Sequence, residues 1–248
     1  MRIILSPAKK MNKDTDKLDY KDLPVFLEQT ACILSWLCDH SLSELQKLWG
    51  CNEKIAKQNH ERIKDMDLHS GLTPAIISYE GLAYQYMAPS VFERSSIDYV
   101  QEHLRILSGF YGVLKPLDGV TPYRLEMQAK VSLRGHKDLY DFWGQRLYDE
   151  VSDGTGIIIN LASKEYSKCI EKYLKPDDTF ITVTFGETVS GKLVTKGTYA
   201  KMARGEMVRF MAENMIEDPN EIKNFDRLGY VFRNDLSNGD ELVFERRK

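Results

Sequence analysis

Hydrophobic and polar positions follow two patterns along this chain: a helical spacing in the first third, and short continuous apolar runs after it. Apolar residues three and four positions apart predict helices over residues 24–37, 42–49 and 52–66. Ser41 and Glu44 have the spacing of a capping box, which marks the start of the second helix. This helical third carries few residues with evident chemistry, and we interpret it as scaffold.

Short apolar runs predict strands in the rest of the chain. Residues 2–5 and 75–79 are two of them, and residues 157–161 form an unbroken run typical of a buried central strand. Two hairpins are predicted, one from 180–185 and 193–196 and one from 230–232 and 242–244, the second around Asn238-Gly239. Further helices are predicted to start at Ser95 or Ser96, to cover 145–151, to follow Ser163 and to cover 199–215.

The stretch 101–140 is where we expect the function, because glycine, proline, arginine and glutamate are interspersed among its bulky apolar residues. The spacing of Val100, Leu104 and Leu107 predicts that a helix continues to the turn at Gly109 and Gly112. A helix, a Gly-x-x-Gly turn and a second helical start outline a helix-hairpin-helix-like element over 104–113, whose turn amides would hold a phosphate. Pro116 leaves little room for a full second helix, so the match to that motif is incomplete.

Composition and organisation favour one compact mixed α/β (α+β) domain over residues 1–248, with a mixed sheet surrounded by helices. The chain is 42% hydrophobic and 29% charged, and it has neither an internal repeat nor a Pro- or Ser-rich linker. No apolar run has the length of a bilayer span or the character of a secretion signal, so we expect a cytoplasmic protein without a membrane partner. The four cysteines lack CxxC spacing and are interpreted as reduced, small hydrophobic residues.

Charge points to a local anion site, because the net charge of −3 gives the whole molecule no attraction for nucleic acid. Lys192 to Arg209 is the clearest basic stretch, and Ser6 is followed by two lysines at the end of the first predicted strand. If the fold brings the basic residues together, they form one positive cleft able to neutralise phosphates. The set is Lys9, Lys10, Arg105, Lys115, Arg124, Lys164, Lys201, Arg204 and Arg209.

Familiar catalytic motifs are missing. The five histidines are scattered without metal-ligand spacing, so neither a metal nor a cofactor is predicted. Gly191-Lys192 lacks the other residues of a P-loop, and there is no GxSxG elbow. Whether the chain is an enzyme therefore stays open at this point.

Seven segments together resemble the peroxide-stress YaaA family, and the likeness covers nearly the whole chain. They are 4–9, 107–118, 122–127, 137–144, 160–166, 200–205 and 238–244. The resemblance implies a cytosolic bacterial protein that limits unincorporated iron, and so oxidative damage, under hydrogen peroxide. It also implies a single domain of unusual topology with a positive cleft and a DNA-binding helix-hairpin-helix-like element.

Our leading hypothesis is a peroxide-stress protein that binds double-stranded DNA in the cleft, largely without sequence preference. The residues expected to contact phosphate, or to let the turn approach it, are Ser6, Lys9, Arg105, Gly109, Gly112, Lys115, Arg124, Lys201 and Arg204.

The alternative is an enzyme acting on a phosphorylated or nucleoside-like small molecule in the same cleft. Its candidate catalytic residues are Tyr123, Glu126, Asn160 and Ser163. A deep cleft in which acids meet bases at one point would favour this alternative, whereas a long, shallow basic groove would favour DNA.

Overall fold

The structure, a computed structural model, describes residues 1–16 and 18–247. Lys17 and Lys248, the remaining positions of the predicted domain 1–248, lie outside the described residues. The strands are β1 Arg2–Leu5, β2 Lys10–Met11, β3 Thr73–Pro74, β4 Tyr79–Glu80, β5 Leu104–Ser108, β6 Gly112–Leu114, β7 Gly119–Val120, β8 Ile157–Asn160, β9 Thr179–Val189, β10 Lys192–Val194, β11 Tyr230–Phe232 and β12 Glu241–Arg246.

Ten α-helices are present among the described residues. They are α1 Leu27–Cys38, α2 Leu42–Trp49, α3 Glu53–Lys64, α4 Ala75–Ser78, α5 Leu82–Met87, α6 Arg94–His103, α7 Leu139–Trp143, α8 Arg146–Val151, α9 Lys164–Glu171 and α10 Gly197–Glu213. The predicted capping box at the start of α2 is confirmed, since Ser41 Oγ accepts from the Glu44 amide and the Glu44 carboxylate accepts from the Ser41 amide. Within the described residues, no helix combines the length and hydrophobicity needed to cross a membrane.

A mixed sheet flanked by helices organises the fold, as predicted. Across the part of the chain that is described, its eight strands lie in the order β11-β12-β9-β8-β1-β5-β6, with β10 paired to β9. The five strands β12, β9, β8, β1 and β5 are mutually parallel, and β6, β10 and β11 run antiparallel to their neighbours. Ile3, Ile4 and Ile159 are fully buried because β1 and β8 lie in the middle of this sheet.

The segment 104–113 is not a helix-hairpin-helix element. Helix α6 ends at His103, and Leu104–Ser108 and Gly112–Leu114 form an antiparallel hairpin at one end of the sheet. Every residue of β5 is buried. A strand that is buried on both faces does not alternate between apolar and polar residues, so its sequence can also fit the spacing of a buried helix. The apolar spacing alone therefore could not distinguish the two structures.

The residues of the turn between β5 and β6 are buried in the protein. The amides of Phe110 and Tyr111 donate to Ser108 Oγ at 3.2 and 2.9 Å, so they do not present a free phosphate site. A Cβ atom on Gly112 would lie 2.9 Å from the indole of Trp143. The prediction that Gly109 and Gly112 let this turn approach DNA is therefore wrong, because both glycines are buried against the protein itself.

The strand predicted over 75–79 is also wrong for most of its length. Ala75–Ser78 is one helical turn, and only Tyr79 enters a strand, β4, which pairs with β2. The amides of Ala75 and Ile76 donate to the carbonyls of Asp118 and Pro116 at 2.9 Å, so tertiary hydrogen bonds fix the backbone here. A short apolar run does not distinguish a buried helical turn from a strand.

Candidate functional site

A cavity of about 380 Å³ opens at the carboxyl ends of β1 and β8. In the sheet, β5 is the neighbour of β1 on one side, and β8 is its neighbour on the other side, followed by β9. The chain leaves β1 toward β5 and leaves β8 toward β9, in opposite directions across the sheet. The connections from β1 and β8 therefore diverge, and such a switch point leaves a crevice beyond the strand ends where ligands of α/β proteins bind. The loop after β1, the start of α5, the segment Tyr123 to Glu126, the start of α9 and one side of α10 line the cavity.

Two serines tie the loops that follow β1 and β8 together at the cavity floor. The Ser163 amide donates to Ser6 Oγ at 2.8 Å, and the two hydroxyl oxygens are 3.2 Å apart. On the opposite wall, the Tyr84 hydroxyl donates to the Ser6 carbonyl at 3.0 Å, and burial raises the pKa of Tyr84 well above its usual value. Ser6 thus occupies a fixed position between three elements, and Ser6 and Ser163 line the cavity as the sequence predicts.

Among the described residues, five cationic side chains line this cavity: Lys9, Lys10, Arg124, Lys201 and Arg204. Lys9 Nζ lies 2.8 Å from Glu126 Oε1, and Lys10 pairs with Glu80. Arg124 is farther from Glu126, at 3.8 Å, and donates to the Trp49 carbonyl at 3.5 Å. Three of the five cations therefore lie beside carboxylates.

The other two cations come from one side of α10. Lys201 and Arg204 are three residues apart, and within residues 1–16 and 18–247 neither has an ion-pair or hydrogen-bond partner. Arg204 Nε is fully buried, and burial lowers the pKa of the Arg204 guanidinium. A partly buried guanidinium without a counter-ion is energetically unfavourable, and an anion bound in the cavity would relieve that penalty.

Acidic side chains share the cavity with these cations. Glu126 is one-fifth exposed beside Lys9 and Arg124, and Glu165 lies at the start of α9, where its Oε1 accepts from the Gln128 amide at 3.2 Å. Burial, reinforced by the nearby charge of Glu126, raises the pKa of Glu165 against the opposing effects of that amide and of Lys9 and Lys168. The cavity is thus a mixed site in which acids meet bases.

Close backbone packing holds two of its walls in place. A Cβ atom on Gly109 would lie 2.8 Å from the Leu125 carbonyl oxygen, so this glycine lets the segment carrying Arg124 and Glu126 lie directly on the β5–β6 turn. Gly205 similarly lets α10 contact the backbone of Ala83 in α5. Gly205 is not among the site residues predicted from the sequence, although a glycine in the middle of a 17-residue helix is a signal of close packing.

Two predicted phosphate-binding residues lie outside the cavity. The Arg105 side chain is buried, and its Nη1 donates to the carbonyls of Glu102 and Leu104 at 2.9 Å, while burial lowers its pKa to about 10. Lys115 follows β6, which runs antiparallel to β5. It therefore lies toward the amino-terminal ends of the parallel strands, away from the cavity. The predicted convergence of these two residues with the other cations is wrong, because strand direction places them away from the carboxyl ends of β1 and β8.

Two of the candidate catalytic residues have structural roles instead. Asn160 Oδ1 accepts from the Ala162 amide at 2.9 Å, and its Nδ2 donates to Thr182 Oγ1 at 3.3 Å, so its side chain joins neighbouring strands. The Tyr123 ring lines the cavity, but its hydroxyl is buried between Ser108 Oγ at 2.6 Å and the Tyr79 hydroxyl at 2.8 Å. Glu126 and Ser163 remain as candidates within the cavity.

Lys164 and Arg209 complete the predicted basic set, and neither lines the cavity. Lys164 is exposed and lies 3.6 Å from Glu171, while Arg209 pairs with Glu213 at 2.7 Å on the same helix. Within the described residues, no group of three or more histidine, cysteine, aspartate or glutamate side chains is placed to hold a metal ion.

Comparison with known proteins gives a consistent result. The family model described as peroxide stress protein YaaA matches residues 1–236. A UPF0246 protein of Agathobacter rectalis is 64% identical over 247 residues, covering 100% of this chain and 99% of that protein. UPF0246 proteins of Lachnoclostridium phytofermentans and Limosilactobacillus reuteri are 55% and 53% identical, covering 98% and 99% of this chain and 96% and 99% of their own lengths.

Proposed function

Because the chain belongs to the peroxide stress protein YaaA family, and so has a general role in peroxide stress, we propose that it acts in the bacterial cytoplasm by binding DNA phosphates in the cavity at the ends of β1 and β8. The observation that carries the proposal is the pair Lys201 and Arg204, two cations without partners among the described residues. Phosphate oxygens are the natural counter-ions for such groups. Exposed Lys9 and Lys10 extend the positive surface to the rim.

Contacts of this kind hold the backbone and read no bases, so the proposed binding has little sequence preference. In a peroxide-stressed cell, a protein bound along DNA would lie where oxidants generated by iron do most harm. We further propose that the protein lowers the level of unincorporated iron in the cell. Measurement of chelatable iron by electron paramagnetic resonance in cells with and without the gene tests that part separately.

The test of DNA binding is fluorescence anisotropy of a labelled 20-base-pair duplex, titrated with protein across a salt series. We expect binding that weakens steeply as salt rises, because each neutralised phosphate releases counterions. The double variant Lys201→Glu/Arg204→Gln should bind at least about tenfold more weakly, and its salt slope should fall by about 2. Lys192→Glu, an exposed charge reversal on β10 outside the cavity, is the matched control and should cost much less affinity.

Failure would be clear in this experiment. If duplex does not bind even at low salt, or if Lys192→Glu weakens binding as much as the double variant does, the cavity is not the DNA site.

The cavity also meets the condition stated above for the alternative, because acids meet bases in it, and this favours a second function, an enzyme acting on a phosphorylated or nucleoside-like small molecule. A phosphate-only binder has no need of Glu126 and Glu165 beside its cations, and the raised pKa of Glu165 makes that carboxyl a candidate proton donor. A volume of about 380 Å³ is in the range of small-molecule sites. The test is a thermal-shift screen of nucleotides, nucleosides and sugar phosphates, followed by product analysis of any ligand that raises the melting temperature.

The variants for that screen are Glu165→Gln and Arg204→Gln. A substrate should stabilise both variants less than the wild type, and turnover should be lost in Glu165→Gln. If no compound shifts the melting temperature of the wild type, the enzymatic function is excluded for those compound classes.

A further inference from the structure

A second cavity of about 700 Å³ adjoins the first. Its walls come from α1, α2 and the segment that follows Glu126, and they include the aromatic residues Trp36, His40 and Trp49. These helices belong to the part of the chain that the sequence analysis interprets as scaffold. The proposed DNA and small-molecule functions make no use of this cavity.

The two cavities share two lining residues, which form an ion pair. Lys9 and Glu126 line both cavities, and Lys9 Nζ lies 2.8 Å from Glu126 Oε1. The Lys9 side chain is 64% exposed, so it can move without displacing packed neighbours. Arg124, in the wall of the first cavity, also donates to the carbonyl of Trp49 in the wall of the second.

The second cavity has the chemistry of a site for a planar ring. The rings of Trp36 and His40 lie 3.9 Å apart between centroids, and both residues are half-buried. Trp49 is 4% exposed, and among the described residues its buried indole N–H finds no acceptor. Aromatic faces stack on heterocyclic bases of any sequence, and an N–H donor would bind a base oxygen or nitrogen.

Charge in this second cavity also suits a nucleotide. Lys9, Lys47 and Lys130 line it together with Glu44 and Glu126. The cations thus outnumber the carboxylates by one, and Trp36, His40 and Trp49 add aromatic surface to the same cavity. A phosphate alone would gain nothing from that surface.

We infer that the two cavities form one site for an unpaired nucleotide, whose phosphate binds beside Arg204 and Lys201 and whose base enters the cavity of Trp36 and Trp49. The inference rests on the proposed phosphate site and extends it with a base subsite. The ligand is a free nucleotide or an unstacked nucleotide within a single strand, since both present the same chemistry. A base held in a duplex cannot enter, because pairing and stacking occupy it.

The test uses tryptophan fluorescence and four probes: thymidine, thymidine monophosphate, a thymidine tetranucleotide, and an abasic phosphodiester of the same length. The base-bearing strand should quench the emission and bind about 5- to 150-fold more tightly than the abasic strand, the range expected for stacking of one base. Trp36→Leu should reduce the quenching, leaving at most the contribution of Trp49, and should weaken that difference in affinity. Tyr199→Leu, which removes a half-buried ring on α10 outside both cavities, is the matched control and should change neither.

Each outcome has one meaning. Equal affinity for base-bearing and abasic strands, or quenching that is undiminished in Trp36→Leu, overturns the base subsite. Loss of abasic binding in Arg204→Gln tests the phosphate site independently, so the proposed function can fail while thymidine still quenches Trp36, or the reverse. Equal affinity for the monophosphate and the tetranucleotide identifies a free nucleotide as the ligand, and tighter binding of the tetranucleotide identifies a single strand.

Discussion

Gly205 of helix α10 lies directly against the backbone carbonyl of Ala83 in helix α5, and a Cβ atom on Gly205 would overlap that carbonyl group. Tyr84 follows Ala83 in α5, and its hydroxyl donates to the Ser6 carbonyl. This contact therefore sets the distance between the side of α10 that carries Lys201 and Arg204 and the loop that follows β1.

Gly205→Ala should destabilise the protein and open the cavity, because the added methyl group meets backbone that cannot move aside without shifting a helix. We expect a loss of about 1–3 kcal/mol in the free energy of unfolding, measured by urea denaturation, and weaker phosphate binding. Gly197→Ala at the start of the same helix is the control, since a Cβ atom added there would have no atom within 4 Å. It should leave stability unchanged or slightly higher, and equal losses in both variants would contradict this account.

Gly109→Ala should damage the same cavity from the opposite side. The new Cβ atom would lie 2.8 Å from the Leu125 carbonyl oxygen and 3.0 Å from the Met127 nitrogen, so the segment carrying Arg124 and Glu126 would be displaced. We expect a destabilisation of about 1–3 kcal/mol and reduced anion affinity. Gly239→Ala, whose added methyl group meets no atom within 4 Å, provides the comparison. Unchanged anion affinity in Gly109→Ala would argue against a role for this segment in binding.

Arg204→Met should increase stability while weakening phosphate binding. The guanidinium is partly buried with no counter-ion among the described residues, and methionine fills a similar volume without a desolvation penalty. An increase of about 1 kcal/mol in the free energy of unfolding is expected, together with a smaller stabilisation by added phosphate than in the wild type. Lys201→Met tests the same loss of charge at an exposed position, where stability should change little. A destabilised Arg204→Met that binds phosphate normally would show that the arginine is structural.

Asp118 should make stability depend on pH. Burial raises its pKa to about 7, although the Lys115 amide, which donates to its carboxylate, and the charges of Lys115 and Arg105 oppose that rise. The folded protein therefore binds a proton that the unfolded chain releases above about pH 4, so this contribution to stability is present at low pH and is lost as pH rises toward 7. The loss is at most about 4 kcal/mol.

Asp118→Asn should flatten this pH dependence, because the amide stays neutral and its oxygen still accepts from the Lys115 amide. Urea denaturation at pH 5 and pH 8 measures the difference, with Asp177→Asn, an exposed site, as the control. A wild-type protein that is equally stable at both pH values would show that Asp118 is ionised throughout.

Much of the secondary structure can be predicted from local sequence. The capping box of Ser41 and Glu44, the three consecutive isoleucines of β8 and the hairpins around Ser190-Gly191 and Asn238-Gly239 are local signals, and the structure has the predicted element at each. The predictions failed at Leu104–Ser108 and Ala75–Ser78, where every residue or nearly every residue is buried. In such segments the alternation of apolar and polar residues that distinguishes helix from strand is missing. Hydrogen bonds to distant parts of the chain then decide which of the two forms.

The sequence by itself determined the family, the mixed α/β class and nine of the 21 residues that line the first cavity, because composition, short motifs and local periodicity carry that information. Only the tertiary structure decided which cations meet. Arg105 and Lys115 lie outside the cavity, since strand direction is a property of the sheet and not of the local sequence. The structural roles of Gly109 and Gly205 likewise became clear only in the tertiary structure, because each glycine allows a close contact with backbone from a distant part of the chain.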